Sequence, residues 1–142
     1  MKNEELEILL SDLKRQEGCS LRSYYCPAGY ITIGFGHKIE SSPITISKEY
    51  ALELLLDDVK HAKECANNLF PNFYTYPDQI QRAIVNMIFQ MGEHGVEKFY
   101  KMCAAIKQKD WDTAYKEALD SKWAKKDSPI RAREVASLFL LT

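Results

Sequence analysis

No stretch of this sequence stays apolar for the roughly 18 residues that a membrane-spanning helix requires; apolar fragments such as Leu54-Leu55-Leu56 are far too short. The opening Met1-Lys2-Asn3-Glu4-Glu5 is acidic where a secretion signal is basic and then apolar. The expectation is therefore a protein made in the cytoplasm and, if it acts elsewhere, moved there by another agent. Charge of one sign is also missing. Nineteen Lys and Arg against 20 Asp and Glu leave a net charge of −1, which gives no support for nucleic-acid binding. Histidine is scarce, and His37, His61 and His94 lie too far apart to form a metal-ligand motif. None of the four cysteines (Cys19, Cys26, Cys65, Cys103) stands in a CxxC pair, so reduced thiols are expected, with a Cys19–Cys26 bridge left open.

What is present is enough for a core. At 142 residues and 46% hydrophobic content, the chain suits one compact domain. Repeats and low-complexity tracts are absent. The local basic group Lys122, Lys125, Lys126, Arg131 and Arg133 reads as a solvated helical face, or as a modest attraction for an anionic polymer.

Leu6, Leu9, Leu10 and Leu13 recur at i, i+3, i+4, i+7 and predict a first helix, stopped by Gly18 just after Glu17. Two strand-like pieces over 23–25 and 31–35 flank the turn signal Pro27-Ala28-Gly29 and predict a hairpin, with at most one brief strand after it. Beyond Pro43, Ser47 is a plausible N-cap for a helix over 48–68, with Ala51, Leu55, Val59, Ala62 and Ala66 along one side. A helix over 77–91 is apolar nearly all round, which predicts a buried axis ended by Gly92. Shorter helices are expected over 96–107, from Asp110, and from a Ser128 cap with Pro129 in the first turn through to Leu141. These elements predict a single α+β domain over 1–142, predominantly helical. A hairpin lobe would lie at about 17–46 and a helical lobe at about 69–142 together with the first helix, with the long helix joining them. A chain-like substrate would lie in a cleft between two such lobes.

Glu17 closes the first helix, where the negative end of the helix dipole disfavours an ionised carboxylate; that suits a proton donor. The hairpin then returns two small polar side chains, Cys26 and Thr32. Taken singly, each has a bland reading: a solvated Glu beside a capping glycine, a buried hairpin thiol, a common strand residue. Gly34 and Gly36 permit close backbone approach. His37 reads as structural, or as the base of a Cys26–His37 hydrolase that lacks an evident third partner.

The whole stretch Gln16-Glu17-Gly18-Cys19-Ser20-Leu21-Arg22-Ser23-Tyr24-Tyr25-Cys26-Pro27-Ala28-Gly29-Tyr30-Ile31-Thr32-Ile33-Gly34-Phe35-Gly36-His37 resembles the catalytic segment of the phage-type lysozymes, glycoside hydrolase family 24. That family's site is a Glu, then an Asp (Cys in some members), then a Thr at this spacing. Asn86-Met87-Ile88-Phe89-Gln90-Met91-Gly92 is similar to the family's central buried helix. Ser121-Lys122-Trp123 and Pro129-Ile130-Arg131-Ala132-Arg133-Glu134 look like its closing motifs. The resemblance covers about residues 4 to 140 and is loosest between 93 and 120.

It implies a lysozyme-like two-lobed fold and a muramidase or endolysin acting on bacterial peptidoglycan. The bond cut would be the β-1,4 link between N-acetylmuramic acid and N-acetylglucosamine. Glu17 would be the general acid, with Cys26 and Thr32 positioning water. Gln90 is carried over as a sugar contact and Arg131 as a substrate-side residue near Glu17, where a cation would oppose the helix-end effect. His37 is expected to pair with Asp58, matching an Asp in relatives. No cofactor or metal is implied. The protein is expected to be monomeric and to reach the wall through a membrane pore such as a holin. Cys26 departs from the commoner Asp, and two chemistries stay open: water orientation with an inverted product, or thiolate attack with retention. The rival readings are a binding module without turnover, a lytic transglycosylase forming an anhydro-sugar, and a cysteine amidase releasing amines.

Overall fold

The computed structural model describes residues 1–25, 30–39 and 45–140. Cys26, the turn residues Pro27, Ala28 and Gly29, and Pro43 lie outside the described residues. The chain divides into two compact units, one of Glu7–His61 and one of Met1–Leu6 with Ala62–Thr142.

In the first of these, α1 (Asn3–Glu17) ends where expected, with Leu9, Leu10 and Leu13 buried. Leucines of this kind each stabilise a fold by about 1.5–3 kcal/mol when fully buried. A small antiparallel sheet follows in the order β1 (Ser20–Tyr25), β2 (Ile31–Gly34), β3 (His37–Lys38). Tyr24 pairs with Thr32 and Tyr25 with Ile31, and an irregularity separates these pairs from the Ser20–Gly34 pair. On the other side of β2, Thr32 faces Lys38 and Ile33 faces His37. The chain then returns beside β1, where the Ile46 amide donates to the Leu21 carbonyl at 2.7 Å.

Ser47 caps α2 (Lys48–Leu69) as expected, its Oγ accepting from the Tyr50 amide at 3.0 Å. The stripe Ala51, Leu55, Val59, Ala62 and Ala66 is buried along its length. The boundary between the units falls inside this helix, after His61. It also falls inside α1, whose residues from Glu7 onward group with the sheet rather than with the helical unit. Within that unit the Lys14 ammonium, at the end of α1, stands 5.9 Å from the Phe35 ring centroid.

The helical unit begins, after α2, with a 3-10 turn at Phe73–Thr75. The buried Gln81 Nε2 donates to the Tyr76 carbonyl at 2.9 Å and so fastens that turn to α3 (Asp78–Glu97). Residues Ile80 through Ile88 of α3 are all buried, as an all-round apolar helix must be. Gly92 interrupts it with φ 76° and ψ 168°, a conformation essentially confined to glycine. The helical path then resumes to Glu97, so the helix expected over 96–107 is instead α4 (Tyr100–Lys107). In α5 (Trp111–Leu119), Asp110 is the cap and accepts from the Thr113 amide. A π-helical turn, Trp123–Asp127, precedes α6 (Pro129–Ser137), and a 3-10 turn at Leu138–Leu140 closes the described chain. Pro129 occupies the first turn of α6 as expected, but the Ser128 side chain does not cap it. That hydroxyl is engaged by Gln90 instead.

Candidate active site

α1 delivers Glu17 because Gly18 closes the helix there. Gly18 adopts φ 67°, and its amide donates to the Lys14 carbonyl at 3.0 Å. The Glu17 side chain is half-buried, and its end lies over the backbone of Gly36, in the turn between β2 and β3. A Cβ placed on Gly36 would stand 2.5 Å from Glu17 Oε1, 3.1 Å from Cδ and 3.2 Å from Cγ. Gly36 also has φ 77°. The acid at the helix end and the β2–β3 turn are thus in direct apposition, within one unit.

Thr32 sits on β2, between Tyr24 of β1 and Lys38 of β3. It is only 3% exposed, and its hydroxyl donates to the Tyr30 carbonyl at 3.3 Å. Cys26, the third member of the expected constellation, lies outside the described residues. Gly34, with φ 65°, brings β2 against α2; a Cβ there would be 3.3 Å from that of Ala51. The expected His37–Asp58 pair is present, Nδ1 to Oδ2 at 2.8 Å, and ties β3 to α2.

Gln90 and Arg131 belong to the helical unit and are joined there to other polar groups. Gln90 Nε2 donates to Ser128 Oγ at 2.9 Å, while Trp123 Nε1 donates to Gln90 Oε1 at 2.9 Å. Each bond uses only part of what a primary amide offers, which is two N–H donors and two acceptor lone pairs. Arg131 Nε donates to Oδ1 of the buried Asn86 at 3.1 Å, linking α6 to α3. The sequence motifs mark Gln90, Trp123, Asn86 and Arg131 separately. Their bonding to one another, and the part of Ser128, carry no local sequence signal because the partners are 33 to 45 residues apart.

The same unit contains a pocket of about 570 Å³ with Met91, Phe99, Met102 and Trp123 in its wall. Among the described residues, no three His, Cys, Asp or Glu side chains stand together in a way that could hold a metal ion. No helix among them is long and apolar enough to cross a membrane.

The family model described as Phage lysozyme matches residues 14–138, a span that includes Glu17, Thr32, Gln90 and Arg131. The chain belongs to the phage lysozyme family. Phage lysozymes are glycoside hydrolases, and relatives of this chain occur in quite different settings. It is 33% identical to the pre-baseplate central spike protein Gp5 of Enterobacteria phage T4, over 78% of this chain but 24% of that protein. It is 30% identical to probable T4-type lysozyme 1 of Dictyostelium discoideum, over 89% of each chain. Probable T4-type lysozyme 2 of the same organism is 29% identical over 89% of this chain and 90% of its own length. The chain thus spans about a quarter of the phage spike protein and nearly the whole of the two lysozymes.

Proposed function

We propose that this phage-type lysozyme hydrolyses the β-1,4 bond between N-acetylmuramic acid and N-acetylglucosamine in bacterial peptidoglycan. Glu17 acts as general acid, and Cys26 and Thr32 position the attacking water. The observation that carries this reading is the seating of Glu17: the last residue of α1 lies half-buried against the backbone of the hairpin, at Gly36. Cleavage of a glycosidic bond passes through an oxocarbenium-like state and needs its leaving oxygen protonated. An acid held at a fixed place on a sheet-and-helix scaffold meets that need better than one on a mobile loop. Thr32 supports the reading by its place on the same sheet, where a nearly buried hydroxyl can hold a water in one orientation.

Gln90 and Arg131 serve as substrate-side residues in this proposal. An amide and a guanidinium both donate to sugar hydroxyls. Peptidoglycan is the partner that follows from the family. Action as a monomer, production in the cytoplasm and release through a holin-type pore complete the proposal.

The test is release of reducing ends from purified cell walls by wild type and Glu17→Gln. General-acid catalysis contributes about 10²–10⁴-fold, so the variant should lose at least about 10²-fold in rate. Turnover within a few-fold of wild type would remove Glu17 from the reaction. NMR of the first-formed anomer then separates the two roles open to Cys26, since an inverted product excludes a glycosyl–cysteine intermediate.

A further inference from the structure

We propose that Gly36 is a positioning residue for the acid: the missing side chain at 36 is the space in which the Glu17 carboxyl is held. The inference rests on Glu17 being the acid, as proposed above. Three consecutive atoms of that side chain, Cγ, Cδ and Oε1, lie within 3.2 Å of the point a Cβ would occupy, the oxygen at 2.5 Å. Separations below 3.0 Å cannot persist, so with any side chain at 36 one of the two groups must move. The backbone at 36 is fixed by its neighbours: Gly34 is packed against Ala51, and His37 is paired with Asp58. The group that yields is therefore the far end of a flexible glutamate.

That asymmetry separates catalysis from stability. The clash falls on the end of a side chain rather than on backbone, so its effect is transferred to where the proton is offered. A displacement of about 1 Å at a reacting group can cost on the order of 10²-fold in rate. The second burden of a residue at 36 is its left-handed backbone, φ 77°. Gly92, in the helical unit, carries the same burden without the first, since it has φ 76° and a methyl placed there would meet nothing within 4 Å. The pair therefore distinguishes contact with the acid from backbone strain.

The experiment measures kcat and KM on soluble peptidoglycan fragments, with thermal melts, for wild type, Gly36→Ala, Gly92→Ala and Glu17→Gln. Gly36→Ala should lower kcat by about 10²-fold with KM within about twofold of wild type, and should not melt far below Gly92→Ala. Gly92→Ala should keep most of its kcat. Equal kcat in the two alanine variants would overturn the proposal. If Gly36→Ala does not fold at the assay temperature, adding Glu17→Ala should restore a folded protein by emptying the contested space. Failure to restore it would also overturn the proposal. The two levels of inference fail differently: an active Glu17→Gln removes the acid assignment, whereas an inactive Glu17→Gln beside a fully active Gly36→Ala removes only the role of Gly36.

Discussion

Cys103 and Cys65 illustrate how burial, more than any neighbouring charge, sets the chemistry of a residue. Cys103 is buried, and its Sγ lies 3.3 Å from the Val96 carbonyl. Burial pushes its thiol up to about 11, with Lys107 pulling slightly the other way. Cys65 is raised too, by burial first and then by Glu93 and Glu64. All three are free of disulfides, but Cys19, in contrast, is exposed. Because the thiolate is the reactive form, alkylation of native protein at pH 8 followed by peptide mapping should label Cys19 well before Cys65 or Cys103. Labelling of all three at one rate would contradict this burial. The sequence marks these residues only as cysteines outside any motif, since the burial that makes two of them inert comes from distant segments. Glu17 was legible at this scale because its helix, its capping glycine and its motif are contiguous. Its contact with Gly36 was not, because a turn's φ and the direction of a side chain do not follow from composition.

Between elements, the informative bonds are two ion pairs of different depth. His37 on β3 and Asp58 on α2 are 29% and 30% exposed, so water screens part of their attraction. Asp58→Asn should cost about 1 kcal/mol and leave cell-wall turnover near wild type; an unchanged melting temperature would show the pair to be ornamental. Arg82 on α3 and Glu5 on α1 lie 3.0 Å apart at 11% and 17% exposure. Removing Glu5 there takes this contact from a mostly buried guanidinium. Glu5→Ala should therefore cost about 2–3 kcal/mol, more than Asp58→Asn, as measured by denaturant unfolding. The reverse order would mean that depth is not what sets their worth.

The first pair was read from sequence through the family motif. The second was not, because nothing in the sequence around Glu5 points to a partner 77 residues away. Element types were legible for the same reason that they form: periodic leucines, Ser47 as a cap, Pro129 in a first turn. The break at Gly92 was legible too; the further helical stretch to Glu97 and the π-helical turn at 123–127 were not, since each depends on what the chain packs against afterwards.

For the molecule as a whole, the helical unit is organised around α3, nine consecutive residues of which, Ile80 to Ile88, are buried. Amides so placed exchange only through large openings. Native-state hydrogen exchange should therefore be slowest in α3 and faster in β3, a strand of two residues. Equal protection in the two would count against α3 as the centre of its unit. The fold class was readable because the helix and strand patterns were clear and the family motif pointed to one arrangement of them. The division of α1 between units was not, since amphipathic periodicity says which face is apolar but not what will cover it.

That division bears on the order in which the protein can be built during translation. Everything grouped in Glu7–His61 is contiguous and is available as soon as that stretch has emerged from the ribosome. The other unit draws on two separated stretches, Met1–Leu6 and Ala62–Thr142. The earlier of these, Glu5 included, finds no Arg82 to bind until α2 is complete and α3 has begun. A stretch made before Glu7–His61 thus reaches its final contacts only after the whole of that unit has been synthesised.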